Sequence, residues 1–382
     1  MSTATARTAG FSTRLRSTAV AARVGLVLGV CFAICFVTGL VSHYAQDVAQ
    51  PLGFPTSPAW GYRVTQGLHV ITGTACVPLL LVKLWTVYPQ LFRRPPRGLR
   101  RLAVEVAERL SIAVLVASAI FQLASGLANV TGWYPWAFSF RPTHYALAWV
   151  AIGSLVVHVA VKLPLIRSAL GADVDEGLEQ EGPPGALSRR GLLGATWAAA
   201  AVAVVATAGN TVPWLRKVSV LATHTGDGPQ GLPITRSAKA AGIEPEAVGA
   251  AYVLEVVRGE RTVTLSREDL LAMEQQTRTL PIACVEGWSG TADWTGVRLR
   301  DLIDLVEAPL GSDVQVTSLQ QRGAFSRSVL QGGFVDDERT TLALAINGET
   351  LNLDHGYPAR IIAPNRPGVL QTKWVTRLEV QA

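Results

Sequence analysis

The sequence predicts two folds in one chain: an N-terminal all-α transmembrane bundle of four spans plus a fifth anchor span, then a C-terminal α+β domain. Three observations predict this. Hydrophobic residues make up 49% of the 382 and charged residues only 16%, too apolar a balance for an ordinary soluble protein. The apolar residues gather before residue 209 in runs of about 20, the length that crosses a bilayer. From residue 252 onward short β-prone stretches alternate with turns and short helical runs, the mixture of an α+β domain.

Residues 1–23 carry Arg7, Arg14, Arg16 and Arg23 and no acid. The first apolar run, about 24–41, follows without a cleavage signature and reads as a retained span. A second run covers about 68–88 and is followed by Arg93, Arg94, Arg97, Arg100 and Arg101. The third covers about 110–130 and the fourth about 145–166. Segments 44–64 and 131–143 are nearly free of lysine and arginine, so the positive-inside rule places the N-terminus and the 93–101 loop in the cytoplasm. Residues 171–187 are acidic and rich in Gly and Pro, as linkers are. Ser188-Arg189-Arg190-Gly-Leu-Leu then opens a fifth, outward span ending near Ala208. The domains read from this are a membrane domain at 1–170, a cytoplasmic linker at 171–187, a signal anchor at 188–209 and an exported domain at 210–382. The net charge of +6 comes largely from arginines flanking the spans. It points to a membrane lipid bilayer and gives no sign of nucleic acid.

Four of the six histidines, His43, His69, His144 and His158, lie in or at the ends of the spans. Ionisable residues there are costly and usually functional. His144 and His158 are 14 residues apart, roughly 21 Å along a helix and on nearly one face. His69 and His144 stand at matching depth on the second and fourth spans, so a bis-histidine haem can bridge them. Isolated interfacial histidines are the plain alternative, above all for His43. The four-span layout resembles the b-type cytochrome subunits of bacterial formate dehydrogenases and hydrogenases. That resemblance implies haem b between His69 and His144, and a second haem on His158. It also shows a departure, because the first span has no histidine at its cytoplasmic end. Lys83, at about the depth of His158, is a candidate for a haem propionate or a quinone head group.

In the C-terminal half, strands are expected at 252–257 and 262–265 around a turn at Arg258-Gly-Glu. Ser266 then caps a short helix. A strand leads to Cys284, a loop holds Trp288 and Trp294, and a helical run covers 299–306. Later strands are expected near 314–318, 342–345, 359–363 and 374–380. Cys31 and Cys35 lie one helical turn apart in the first apolar run and Cys76 in the second, with no disulfide framework. Cys284 is thus the lone cysteine of the exported half. On these residues alone a buried core thiol and a metal ligand are equal readings.

Cys284-Val-Glu-Gly-Trp-Ser, followed by Trp294-x-Gly-Val-x-Leu-x-Asp-Leu, resembles the sulfite-oxidase-like molybdopterin domains, within them the branch of periplasmic methionine sulfoxide reductases. A collinear second match holds Asn347-Gly-Glu, Asp354-His355-Gly-Tyr-Pro-Ala-Arg360, Pro364, Gly368 and Lys373-Trp374. Together they cover roughly 250–382. The resemblance implies a mixed sheet with a barrel-like core. It implies Cys284 as the thiolate on molybdenum, and His355, Arg360 and Lys373 on the molybdopterin and its phosphate. The chemistry agrees, since a soft thiolate suits that metal and Arg and Lys suit phosphate. The 225–245 loop is expected to wrap the cofactor, with Arg236 as a further contact. Ser188-Arg189-Arg190 resembles a twin-arginine signal, which exports folded, cofactor-loaded domains; as a bare positive flank it serves equally on spacing alone. The family's active-site tyrosine has no equivalent near Gly323-Ala-Phe325-Ser, and only Arg322 stands where a substrate arginine is sought. Sulfite oxidation and sulfoxide reduction therefore both stay open.

Two functions follow. One is a multi-pass cell-membrane oxidoreductase, transferring oxygen to or from a small-molecule substrate outside the membrane, with haem b passing electrons to or from the quinone pool. The other is a non-catalytic anchored sensor or scaffold retaining the fold. Retention of Cys284, His355, Arg360 and Lys373 favours the first.

Overall fold

The computed structural model describes residues 14–47, 53–92, 96, 98–175, 187–223, 228–323 and 325–381. They form two compact units, one from residues up to 37 with 68–208, the other from 38–67 with 209–382.

The first unit is helical. Its elements come from α1 (Thr18–Ala45), α2 (Gly61–Val87), α3 (Leu99–Val130), α4 (Phe140–Gly171) and α5 (Arg189–Thr207). All five are long and apolar enough to cross a membrane. Val20, Val24 and Leu28 of α1 pack with Cys76, Leu79 and Leu80 of α2, Ala119 of α3 and Leu193 of α5. Val156, Val157 and Val161 of α4 and Val202 of α5 face outward, as on helices whose solvent is hydrocarbon. On α3 a stripe of buried polar residues, Ser118, Gln122, Ser125 and Asn129, recurs every three or four positions on one face. Arg23 closes the C-terminus of α4, donating to the carbonyls of Ala169 at 3.1 Å and Ala172 at 2.9 Å. A cation there also meets the negative end of the helix dipole. Most of the expected linker, 176–186, lies outside the described residues. The arginine pair has local partners: Arg189 donates to the carbonyls of Arg14 and Val174, and Arg190 pairs with Asp173 and Asp175.

The second unit carries ten strands among the described residues: β1 (Val253–Arg258), β2 (Arg261–Ser266), β3 (Gln275–Ala283), β4 (Ser289–Arg298), β5 (Val314–Ser318), β6 (Arg327–Leu330), β7 (Thr341–Ile346), β8 (Glu349–Thr350), β9 (Arg360–Ile362) and β10 (Val375–Val380). One sheet runs β2-β1-β10-β5-β6. The other runs β3-β4-β7-β8 with β9 also paired to β7. Every pair is antiparallel except β1 with β10. Between them packs a short helix, Leu299–Asp304, whose Leu299, Leu302 and Ile303 are wholly buried with Leu254, Val316, Leu342 and Leu378.

Local chemistry explains the turns. Arg258 pairs Arg261 across Gly259-Glu260, and Ile346 pairs Glu349 across Asn347-Gly348. Both hairpins are two-residue loops, and Asn347 and Gly348 have φ of 51° and 80°, the left-handed geometry such loops need. Ser266 caps the helix Arg267–Ala272 in a capping box with Asp269.

The loop expected after Cys284 is instead β4, one of the longest strands. Its Ser-Gly-Thr-Ala-Asp-Trp-Thr-Gly composition has weak strand propensity. Pairing on both edges, with β3 and β7, overrides it. Strand β6 is a second element the pattern does not announce. The β4–β7 register shifts between Thr295 and Gly296, and a Cβ at Gly296 would collide with the Leu342 carbonyl oxygen and stand 2.7 Å from Ala343 Cα. The obstacle is backbone and has no rotamer to yield, so Gly296→Ala should cost about 1–3 kcal/mol. Thermal unfolding should report a midpoint about 5 °C lower; an unchanged midpoint would refute the close approach.

Candidate active site

Cys284 follows the last residue of β3. A tight turn holds it there: its N–H donates to the Trp288 carbonyl at 2.9 Å and the Gly287 N–H donates back to its carbonyl at 3.0 Å. The thiol is buried, 2% exposed, and lies 3.3 Å from the Thr235 hydroxyl. Thr235 in turn accepts from the Trp288 indole N–H at 2.9 Å. Burial, and secondarily the neighbouring Glu286, pushes the thiol up to about 12. Glu286 is itself pushed up to about 7 by burial.

Cations collect beside this thiol. The Lys373 ammonium donates to the carbonyls of Arg236 at 2.7 Å and Asp354 at 2.8 Å and sits 4.8 Å over the Trp374 ring. Burial lowers it to about 7, with the Arg360 charge adding to the effect. Arg360 is 4% exposed; its fork donates to the carbonyls of His355 and Gln371, its plane lies 5.0 Å from the Trp294 ring, and its Nε has no hydrogen-bond partner. Desolvation lowers it to about 9. The His355 Nε2 lies 2.6 Å from the Pro229 carbonyl, and burial lowers this imidazole to about 4. Arg236 donates to the Ala240 carbonyl, and its Nε is also buried without a partner. Among the described ion pairs none uses Arg236, Arg360 or Lys373. Gly356, at φ 112°, lets these groups close up, since a Cβ there would stand 2.9 Å from the Lys373 Cβ and 3.1 Å from that of Arg360.

The structure thus brings Cys284, Lys373, Arg360, His355 and Arg236 into one neighbourhood. Arg322 is exposed, its N–H donating to the Ala241 carbonyl. Sequence reasoning missed Thr235, and it missed a segment from far upstream. Asn365, at φ 57°, accepts from the Tyr62 N–H at 2.5 Å and donates to the Pro55 carbonyl at 2.7 Å. Gln66 donates to the carbonyl of Val285, next to the cysteine. Tyr62 is buried, packs on Ala283 and lies within electrostatic reach of Cys284. No local signal at residues 53–66 announces this role, because the contacts span more than 200 positions.

In the first unit, the His69 and His144 rings stand 6.4 Å apart, centroid to centroid. His69 Nδ1 lies 2.9 Å from the Cys35 carbonyl, and His144 Nδ1 lies 3.0 Å from the Ser125 hydroxyl. Gln122 donates to the His144 carbonyl. His158 shares its surroundings with Lys83, Lys162 and Glu108, and Lys83 donates to the Ala21 carbonyl. His43 is half-buried in the last turn of α1.

Residues 241–382 match the family of the oxidoreductase molybdopterin binding domain. This C-terminal domain is of the molybdopterin oxidoreductase type. It contains Cys284, His355, Arg360 and Lys373. The chain is 32% identical over 114 residues to a sulfite oxidase of Arabidopsis thaliana, covering 25% of this chain and 29% of that protein. It is 27% identical over 134 residues to the protein-methionine-sulfoxide reductase catalytic subunit MsrP of Campylobacter jejuni, covering 31% and 45%. It is 28% identical over 138 residues to a putative protein-methionine-sulfoxide reductase subunit, YedZ1, of Azospira oryzae, covering 35% and 51%. The chain therefore spans about half or less of the length of these relatives.

The residues fit a molybdopterin. Cations held by backbone carbonyls and aromatic rings, and two orphaned arginine Nε atoms, suit a phosphorylated ligand, and the buried thiol suits a soft metal. The Lys373 value has a measurable consequence. Its folded pKa of about 7 lies below the free value of 10.5, so the unfolded chain carries the extra proton between them. Stability of the cofactor-free protein should rise as pH climbs through that window, the penalty being complete below it. Lys373→Met should flatten the rise in denaturant titrations; an unchanged slope would contradict the burial.

Proposed function

We propose that this chain is a membrane-bound oxidoreductase that transfers an oxygen atom to or from sulfur in a small molecule outside the cytoplasmic membrane. Electrons pass to or from the quinone pool through haem b on α2 and α4. The observation that carries the reading is the convergence of the buried Cys284 thiol with Lys373, Arg360 and His355. The matched domain and the sulfur-acting names of the relatives support it.

Cys284 would give its thiolate to molybdenum, and Lys373, Arg360, His355 and Arg236 would hold the pterin and its phosphate. When bound, the group supplies two-electron oxygen-atom chemistry. The protein's own part is to position and to exclude water. Thr235 orients the thiol, Trp288 and Trp294 wall the site, and carbonyls of the 229–236 and 354–371 loops fix the cations. Cys284→Ser should abolish activity and lower bound molybdenum while leaving haem absorption unchanged. Assays with sulfite and with sulfoxides decide the direction, and full activity in this variant would sink the metal reading. A scaffold role would instead be shown by purified protein without molybdenum.

The His69–His144 separation fits a bis-histidine iron, since metal–imidazole bonds of about 2 Å on both sides put ring centroids about 6 Å apart. The Nδ1 partners of both rings are those expected of ligating histidines. His69→Ala or His144→Ala should remove the low-spin haem spectrum and electron exchange with quinol, while His158→Ala spares that haem. A normal reduced spectrum in the His69 and His144 variants would refute this path. For sidedness, accessibility tags at residues 98 and 382 should report opposite faces of the membrane; one shared face would overturn the export of residues 210–382.

A further inference from the structure

Two stretches of the second unit carry exposed apolar side chains that the fold gives no reason to expose. Residues 53–67 run into the first turns of α2, and residues 209–223 follow directly on α5. The first holds Arg63 and the second Arg216 and Lys217, and neither contains an acid. At the start of α2, Tyr62 packs on Ala283 and Gln66 donates to the Val285 carbonyl, while Trp60 and Val64 are exposed. In the second stretch Trp214 is 79% exposed and Val220 84%, and Val218 and Leu221 are exposed with them. Polar contacts hold the two stretches side by side on one strand. Arg63 Nη1 donates to the Thr291 hydroxyl at 3.0 Å, and Arg216 donates to the Ser289 carbonyl at 2.8 Å, two residues away on β4. A Cβ on Gly67 would stand 3.8 Å from the Thr211 Cβ.

Chain continuity says what lies against these side chains. Helices long and apolar enough to cross a membrane cover Gly61–Gln90 and Arg189–Asn210. Trp60 immediately precedes the first. The Gly209 N–H donates to the Ser219 hydroxyl at 2.7 Å, and a Cβ on Gly209 would stand 2.6 Å from the Ser219 Cβ and 2.9 Å from the Arg216 Cα. The second stretch is thus folded back, so that Val218 and Val220 return to the point where α5 ends. The end of a membrane helix is the boundary of lipid and water, and tryptophan beside lysine and arginine is the composition of that boundary. The backbone suits it too. The N–H groups of residues 215, 216, 218, 219, 220 and 222 donate to carbonyls of residues 212–219. A loop that satisfies its own N–H groups can enter a layer of low polarity without orphaning them.

We propose that these two stretches form a lipid seat, on which the second unit beds in the headgroup layer of the bilayer. Trp60, Val64, Trp214, Val218, Val220 and Leu221 reach the acyl boundary, and the cations take the phosphates of anionic phospholipid. Lys217 is exposed, and neither it nor Arg63 forms an ion pair among the described residues. The seat grips the turn that carries Cys284 on both sides: Gln66 holds Val285 and Arg216 holds Ser289. Lipid contact therefore bears on the candidate active site through two hydrogen bonds. The inference rests on the membrane reading of the long helices and not on molybdenum or haem.

The test uses the full chain in nanodiscs of phosphatidylcholine and phosphatidylglycerol in equal parts. A benzophenone amino acid is placed singly at position 64, 214 or 220 of the seat, at 202 within α5, or at 310. Leu310 is an exposed apolar side chain of the second unit outside both stretches, and Val202 is exposed on α5. After irradiation the adducts are identified by mass spectrometry, on variants that keep the parent's circular dichroism. Lipid adducts should form at 64, 214, 220 and 202 and not at 310. Lys217→Gln should keep the adduct at 220 but lower its ratio of phosphatidylglycerol to phosphatidylcholine about fivefold. Adducts at 202 with none at 214 and 220 would overturn the seat and leave the membrane reading standing. No lipid adduct at 202 would overturn the membrane reading and the seat with it. Protein adducts in place of lipid at 214 and 220 would assign the surface to a partner chain and refute the proposal, as would equal lipid labelling at 310. An unchanged lipid ratio in Lys217→Gln would refute the recognition of anionic headgroups.

Discussion

The C-terminal unit is organised around positive charge that, among the described residues, forms no ion pair. Lys373, Arg360 and Arg236 are held by backbone carbonyls of residues 236, 240, 354, 355 and 371. Burying a charge is costly unless it is paired, and neutral carbonyls solvate a cation without cancelling it. The loops that supply those carbonyls must therefore fold as one, and they do. Gln230 bonds the 350–352 backbone, Asp354 accepts from the Ala238 N–H, and Asn347 donates to the Gln230 carbonyl. A bound phosphate would relieve the strain that these groups store, which makes ligand binding and domain stability two faces of one equilibrium.

The same logic shapes the helical unit. Polar side chains inside a hydrocarbon-facing bundle need partners within the bundle. The stripe on α3 provides them: Ser125 and Gln122 hold His144 by its ring and its backbone. His69 is held by a carbonyl of α1. Each imidazole is thus fixed by a neighbouring helix.

Much was legible in the sequence, for physical reasons that differ by region. Apolar runs of bilayer length and arginine flanks mark the five helices, because solvent dictates composition locally. Turn chemistry marks Gly259 and Asn347-Gly348, and capping marks Ser266, because these depend on a few adjacent residues. The motif around Cys284 and the His355-to-Lys373 segment mark the candidate site, because a thiol and a set of cations in family order are local sequence features that lie within the matched domain. Likewise His69 and His144 could be matched by depth along two helices of known rise.

Tertiary structure alone decided the rest. Strand β4 exists because two neighbouring strands demand it against its own glycine-rich propensity. Thr235 reaches Cys284, and residues 55–66 reach Asn365 and Val285, across separations that no local pattern encodes. A sequence fixes which residues can do chemistry, since that follows from their side chains. Which of them meet is set by packing, because contact between distant segments depends on the whole fold at once.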